Sequence, residues 1–354
     1  MIPYLQEVVF RGGNAAVPAG FAKAIAQQRR EFRATAMGWS SAFPRSSEAK
    51  EAVSLALELL EDPAALDTIR VARALATDRP RRWDLAAAEV SLLVRFGLPD
   101  DLPALRRAGA LADSLLRTVP SGPAISYESL ELLSILRGRC DDAMRFAARR
   151  TVPSSEGEPP SAAMAESRAL LDRVAMRCDA VGDTRVIGQF VGRLDRDPLY
   201  RDAPDRAYLD QVMLYRQVLM ASQRDSALVE RLALTVPLPL MRAARAVARH
   251  DPSAARAALG EFDLAATDAI PMTPDFALIA ARLWSDAGVP ARAERILDET
   301  LRQVRGIDPN VLRDPGRIAA LLRVMEWRGR LAAAAGDRST ARRWQDAIVA
   351  LQSP

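Results

Sequence analysis

Residues 336–344, Gly-Asp-Arg-Ser-Thr-Ala-Arg-Arg-Trp, contain the pattern that decides the fold of this chain. The glycine is followed five residues later by a small side chain, Ala341, and three residues after that by a large apolar one, Trp344. Glycine readily adopts the left-handed backbone that ends many helices, and residues three apart lie on one helix face. This stretch therefore predicts a helix end, a tight turn, and a second helix with one face packed inward.

The same pattern recurs along the chain. Weaker copies, without the glycine, begin at Gln223 and His250. A single helix pair cannot bury its apolar stripe alone, so repeated pairs stack on their neighbours. The recurrence predicts an all-α fold, an irregular α-solenoid of stacked antiparallel helix pairs. The full copies are Gly288-Ala293-Ile296, Gly182-Ile187-Phe190, Gly138-Ala143-Phe146 and Gly97-Leu102-Leu105.

Composition supports helices rather than sheets. Hydrophobic residues make up 49% of the 354 residues and aromatic residues 5%, and alanine and leucine, which are strong helix formers, are abundant. The alternating runs of valine, isoleucine and threonine that predict strands are missing from the sequence. Apolar spacing and helix-capping residues predict helices at about 19–42, 48–60, 64–77, 82–96, 103–119, 125–137, 141–151, 161–181, 184–194, 205–222, 225–235, 240–250, 252–268, 274–287, 290–305, 315–335 and 338–352.

Proline, glycine and serine divide the chain into segments. The least helical internal stretch reads Val-Pro-Ser-Ser-Glu-Gly-Glu-Pro-Pro, and it is either a flexible joint or a long loop between repeats. We favour the loop, because the repeat pattern continues beyond it. The expected segments are an irregular N-terminal segment over 1–18, N-terminal helical repeats over 19–151, the loop or joint over 152–160, and C-terminal helical repeats over 161–354.

The charges are nearly balanced, with 49 Lys and Arg against 45 Asp and Glu. Arginine pairs are spread along the whole chain beside carboxylates, which does not favour a nucleic-acid surface. The sequence contains no apolar stretch long enough to span a membrane, and its N-terminus lacks the basic start of a secretory signal. We therefore expect a soluble cytoplasmic protein that does not bind nucleic acid.

The cysteines and the single histidine give little indication of chemistry. We interpret Cys140 and Cys178 as buried apolar thiols, with a disulfide between them as the alternative. His250 is interpreted as the end of one helix, with Asp251 capping the next, rather than as a base or a metal ligand.

Candidate catalytic and metal-binding motifs are not supported. The aspartates between Asp195 and Asp205 lack the spacing and glycine of a calcium loop, and arginines lie between them. The sequence has no glycine-rich phosphate loop, no Gly-x-Ser-x-Gly elbow and no Cys-x-x-Cys pair. We therefore expect no enzyme activity, no catalytic residues, no metal and no cofactor.

The last unit resembles a tetratricopeptide repeat, in which small residues lie where two helices cross and a Gly-Asp turn joins them. Gly329, Gly336, Asp337, Ala341 and Trp344 carry this resemblance. The chain also resembles the helical repeat regions that follow the kinase domain in some bacterial serine/threonine kinases, although it contains no kinase motif. Earlier units match at Ala281, Gly288, Ala293 and Ile296, and at Ala175, Gly182, Asp183 and Phe190.

In tetratricopeptide folds the first helix of each pair lines a concave groove, where ligands usually bind. The resemblance thus implies a non-catalytic scaffold that binds a protein or peptide partner. A sensor or regulatory repeat module separated from a kinase or transcription regulator is the second hypothesis, and an enzyme with an unrecognised site is the third. The resemblance places these residues near the groove: Arg95, Asp172, Arg173, Arg282, Glu326 and Arg330.

Overall fold

The regular structure is entirely helical in the residues that the computed structural model describes, which are 21–120, 127–149, 227, 229–230, 239–265, 273–306 and 309–353. The described helices, numbered in chain order, are α1 (Phe21–Ala42), α2 (Ser47–Leu59), α3 (Ala65–Leu75), α4 (Arg79–Gly97), α5 (Leu102–Arg117), α6 (Tyr127–Leu136), α7 (Cys140–Arg149), α8 (Pro239–Ala248), α9 (Pro252–Ala265), α10 (Pro274–Asp286), α11 (Pro290–Arg302), α12 (Pro309–Arg313), α13 (Pro315–Ala334) and α14 (Arg338–Gln352). A short 3₁₀ turn, Gln303–Arg305, follows α11.

Aspartate caps start several of these helices. The side chain of Asp314 accepts a hydrogen bond from the backbone N–H of Arg317 at 2.9 Å, and Asp251 does the same for Ala254. Proline follows both aspartates at the first helical position, where its missing N–H costs nothing. These local contacts explain why the sequence predicts the helix starts closely.

Three turn glycines of the repeat pattern adopt the expected left-handed backbone, whereas Gly97 is the last residue of α4 and does not have a positive φ. Gly138, Gly288 and Gly336 have φ of +65°, +81° and +83°, the left-handed region in which glycine is least strained. His250, where the pattern lacks its glycine, adopts the same conformation with φ of +58°. The helix before it ends at Ala248, so the interpretation of His250 as a helix-end residue agrees with its placement.

Consecutive helices pack as pairs. The most extensive helix contacts join α2 to α3, α4 to α5, α8 to α9, α10 to α11 and α13 to α14, and α6 also packs on α7. Adjacent pairs then stack, as α3 does on α4 and α10 on α13. The predicted all-α fold of consecutively packed helix pairs is confirmed.

The C-terminal pair also packs on the N-terminal half of the chain. Helix α14 lies along α5, and α13 contacts α6. Leu105 and Leu133 belong to the same buried apolar cluster as Trp344 and Leu351. In a simple solenoid each repeat touches only its neighbours in sequence. Here the C-terminal pair, α13 and α14, also contacts α5 and α6 in the N-terminal half of the chain. We call the contact of α13 and α14 with α5 and α6 the closure.

Cys140, the first residue of α7, is bonded in a disulfide. The chain contains one further cysteine, Cys178, which lies outside the described residues. The interpretation of Cys140 as a free buried thiol is therefore wrong. Cys140 is at a helix start and is only partly buried.

We expect thiol titration of the denatured, non-reduced protein to detect no free cysteine, and titration after reduction to detect both cysteines. Two free thiols without reductant would restore the free-thiol interpretation. Because disulfides persist mainly in oxidising compartments, the same titration on protein trapped in the cell tests the expected cytoplasmic location.

Several sequence predictions fall outside the described residues. These are the irregular segment 1–18, the loop or joint 152–160, and the predicted helices between 161 and 222. The domain boundaries therefore stay predictions. Within the described part of the chain, every helix is too short or too polar to span a bilayer.

Candidate functional site

Helices α10 and α13 bring an arginine and a tryptophan together at their contact. The guanidinium carbon of Arg282 lies 4.9 Å from the ring centroid of Trp327, within the range of a cation–π interaction. The Nε of Arg282 also lies 3.6 Å from a carboxylate oxygen of Asp286. The Arg282 side chain keeps 25% of its surface exposed, so the stacked pair borders solvent.

Two other predicted groove residues lie on the same helix as Trp327. Glu326 and Arg330 are four residues apart and therefore neighbours on α13, and Trp327 is three residues before Arg330 and so also its neighbour. Glu326 and Trp327 are partly buried and Arg330 is exposed, whereas Leu322 and Met325 point into the core. We call Arg282, Glu326, Trp327 and Arg330 the α10–α13 surface.

Trp327 is the member of this surface that sequence reasoning missed. The repeat pattern places apolar residues five and eight positions after a turn residue, and Trp327 lies at neither position. The spacing could have identified it. Trp327 is three residues before Arg330, and residues three apart on a helix are neighbours on its surface. An aromatic residue among charged neighbours, on the first helix of a predicted pair, therefore indicates a candidate binding surface.

Arg95, another predicted groove residue, lies in the interior. Its side chain is 1% exposed, and one terminal nitrogen is 3.5 Å from a carboxylate oxygen of Glu58. The other terminal nitrogen donates to the backbone carbonyl of Arg305, in the 3₁₀ turn after α11. Arg313 approaches the second oxygen of Glu58 at 2.9 Å. Arg95 thus joins α4 to the C-terminal half of the chain.

The remaining predicted groove residues, Asp172 and Arg173, lie outside the described residues. The structure therefore unites Arg282, Glu326 and Arg330 on neighbouring helices and places Arg95 in packing contacts elsewhere. A groove role for any of these residues stays a prediction.

A buried carboxylate on α4 is held by arginines from neighbouring helices. Glu89 is 1% exposed, and its oxygens lie 2.8 Å from Arg70 Nε and 2.8 Å from Arg73 Nη1. Arg107, on α5, approaches at 3.8 Å. Burying a carboxylate is costly unless it is paired, so this cluster ties α3, α4 and α5 together.

The beginning of α14 carries a shallow basic depression of about 540 Å³, lined by Arg338, Ser339, Arg342, Arg343 and Asp346. Arg343 is paired with Asp100 across the closure. Asp337 caps the helix, and hydrogen bonds from Thr340 and then Ser339 hold the pKa of its carboxyl below the ordinary value.

Neither clusters of metal-binding side chains nor similarity to known proteins points to a further functional site. In the described ranges, no group of three His, Cys, Asp or Glu side chains is arranged to hold a metal ion. No protein-family model matches the chain, and no curated protein is significantly similar to it.

Proposed function

We propose that the protein is a non-catalytic, tetratricopeptide-like scaffold that binds a protein or peptide partner through the α10–α13 surface. The observation that carries the proposal is the partly exposed stack of Arg282 on Trp327. Tryptophan and arginine are the residue types that most often dominate the binding energy of protein interfaces. This pair lies on first helices, where tetratricopeptide folds bind their ligands.

The framework around the surface supports tight binding. Leu283 and Met325, next to the surface residues along their helices, are fully buried in the core. Side chains on packed helices lose little further freedom when a partner binds, which lowers the entropic cost of association. Arg330 is exposed and offers a guanidinium group to a partner carboxylate. The proposed partner therefore presents an apolar side chain to Trp327 beside a carboxylate.

Selection of a phage-displayed random peptide library against the immobilised protein tests this proposal. We expect a class of selected peptides whose affinity falls at least about tenfold in Trp327→Ala and in Arg282→Ala, because interface hot spots cost this much or more when truncated. Isothermal titration calorimetry with the selected peptides gives the dissociation constants.

Arg242→Ala is the matched control. Arg242 is an exposed arginine on α8 that pairs with Glu261, and it is not part of the α10–α13 surface. Its loss should leave peptide binding unchanged, and circular dichroism should show the same helicity for all three variants. Selected peptides that bind Trp327→Ala and the parent protein equally would refute the assignment to this surface.

A further inference from the structure

Three arginine side chains converge on one carboxylate where α3, α4 and α5 pack together. The carboxylate of Glu89, on α4, forms ion pairs with all three: Arg70 and Arg73 on α3, and Arg107 on α5. Glu89 is 2% exposed, whereas these arginine side chains are 27%, 35% and 57% exposed. The guanidinium groups therefore lie between the buried carboxylate and solvent. We call the three arginines the arginine cluster.

The arginine cluster carries more positive charge than its carboxylate partners neutralise. Besides Glu89, the acid that pairs with it is Asp67, which lies 2.8 Å from Arg70 Nη1 and is 85% exposed. Three cations against these two anions leave a net charge of +1. The two oxygens of Glu89 also cannot satisfy the five N–H donors of each guanidinium group. Donors and charge therefore remain for a further anion.

The other acidic side chains of α2, α4 and α5 are held elsewhere. Glu58 pairs with Arg313, and Asp113 pairs with Arg137 at the closure. The acids near the starts of α2 and α4 interact with one another and with Arg81: Glu48, Glu51, Asp78 and Asp84. Within α2 to α5, none of these carboxylates pairs with the arginine cluster, so its positive excess is local.

Bringing these arginines together is unfavourable unless an anion compensates them. Arg70 and Arg73 are three residues apart on α3, and like charges at such spacing destabilise a helix. Glu89 and Asp67 offset only part of the repulsion. Because the ion pairs with Glu89 already hold the guanidinium groups in place, a further anion would bind without the entropic cost of assembling them.

We propose that the arginine cluster is an anion site that takes the phosphate group of a small phosphorylated ligand. A phosphate monoester has three strong acceptor oxygens, which equals the number of guanidinium groups, and carries a charge of about −1.5 to −2 at pH 7. The planar fork of arginine matches the geometry of phosphate. This site is separate from the α10–α13 surface, and the inference does not depend on the function proposed for that surface.

A nucleic-acid strand fits this cluster less well than a small phosphorylated ligand. Proteins that bind single strands combine a basic groove with aromatic side chains on which the bases stack. The aromatic residues of α3, α4 and α5 are Trp83 and Phe96, and both are buried. The three guanidinium groups also meet at one carboxylate rather than along a track, which suits a single compact anion.

Isothermal titration calorimetry with inorganic phosphate and with glycerol 3-phosphate, at constant ionic strength, tests this site. We expect both probes to bind the parent protein, and Arg73→Gln and Arg107→Gln each to weaken binding at least about tenfold, because each removes a charge-assisted donor. Arg107 is the most exposed of the three arginines, so its replacement is the variant expected to perturb folding least.

Replacing Glu89 by glutamine removes the resident negative charge and keeps the size of the side chain. If the arginine cluster is an anion site, this variant should bind phosphate more tightly than the parent protein does. If the arginines serve only to neutralise Glu89, neither protein should bind phosphate. Should Glu89→Gln fail to fold, the two arginine variants still decide the question.

Arg249→Gln is the matched control, because Arg249 is 56% exposed, like Arg107, and also pairs with a carboxylate, that of Glu230. It should bind phosphate like the parent protein. Oligothymidine and phosphatidic acid vesicles are tested in parallel. The proposal is overturned if phosphate does not bind the parent protein, if the Arg73 and Arg107 variants bind it like the control, or if only the oligonucleotide or the vesicles bind through these arginines.

Discussion

Replacing Arg137 by alanine is expected to lower the free energy of unfolding by roughly 3–5 kcal/mol, the usual cost of removing one partner from a buried ion pair. The Arg137 side chain is 3% exposed and lies 2.6 Å from Asp113 on α5. It also donates to the backbone carbonyls of Leu351 and Ser353, at the end of α14. The substitution leaves these acceptors without their donor and removes a cation from a helix C-terminus.

Urea unfolding followed by circular dichroism measures this loss. Arg139→Ala is the matched control, because Arg139 also pairs with Asp113, at 2.5 Å, but is 39% exposed. We expect this control to cost no more than about 1 kcal/mol, as exposed ion pairs do. Equal effects of the two substitutions would mean that the closure does not depend on the buried guanidinium.

Replacing Gly109 by alanine is expected to destabilise the protein by roughly 1–3 kcal/mol through overpacking. A Cβ at this position of α5 would lie 2.7 Å from the backbone carbonyl oxygen of Leu351 and 2.8 Å from a terminal nitrogen of Arg137. A backbone atom cannot move aside as a flexible side chain can. Helix α14 would therefore have to shift away from α5.

Gly260→Ala is the control for Gly109→Ala, measured by the same thermal or urea unfolding. Gly260 lies inside α9, where an added Cβ meets no atom within 4 Å. Alanine is the better helix former by about 1 kcal/mol, so this control should gain stability. A Gly109→Ala protein that is stabilised like the control would show that α5 and α14 do not approach as closely as described.

The candidate site was predictable only in part. Arg282, Glu326 and Arg330 follow from the rule that first helices line the groove, and the structure places them on neighbouring helices. Arg95 satisfies the same rule in sequence, yet it lies buried against Glu58 and the carbonyl of Arg305. Nothing near Arg95 in sequence indicates a partner from the distant end of the chain.

Within the described residues, the sequence by itself determined most of the helices and their pairing, although it did not predict α12 or the backbone of Gly97. The last helix is predicted at 338–352 and found at Arg338–Gln352, because a capping aspartate and a left-handed glycine act within a few residues. Only the tertiary structure decided the closure of α13 and α14 on α5 and α6. Its contacts join atoms such as those of Arg137 and Leu351, 214 residues apart. Such a contact depends on how the helices pack across the whole core. Packing between residues so far apart in sequence produces no periodic pattern from which it could be predicted.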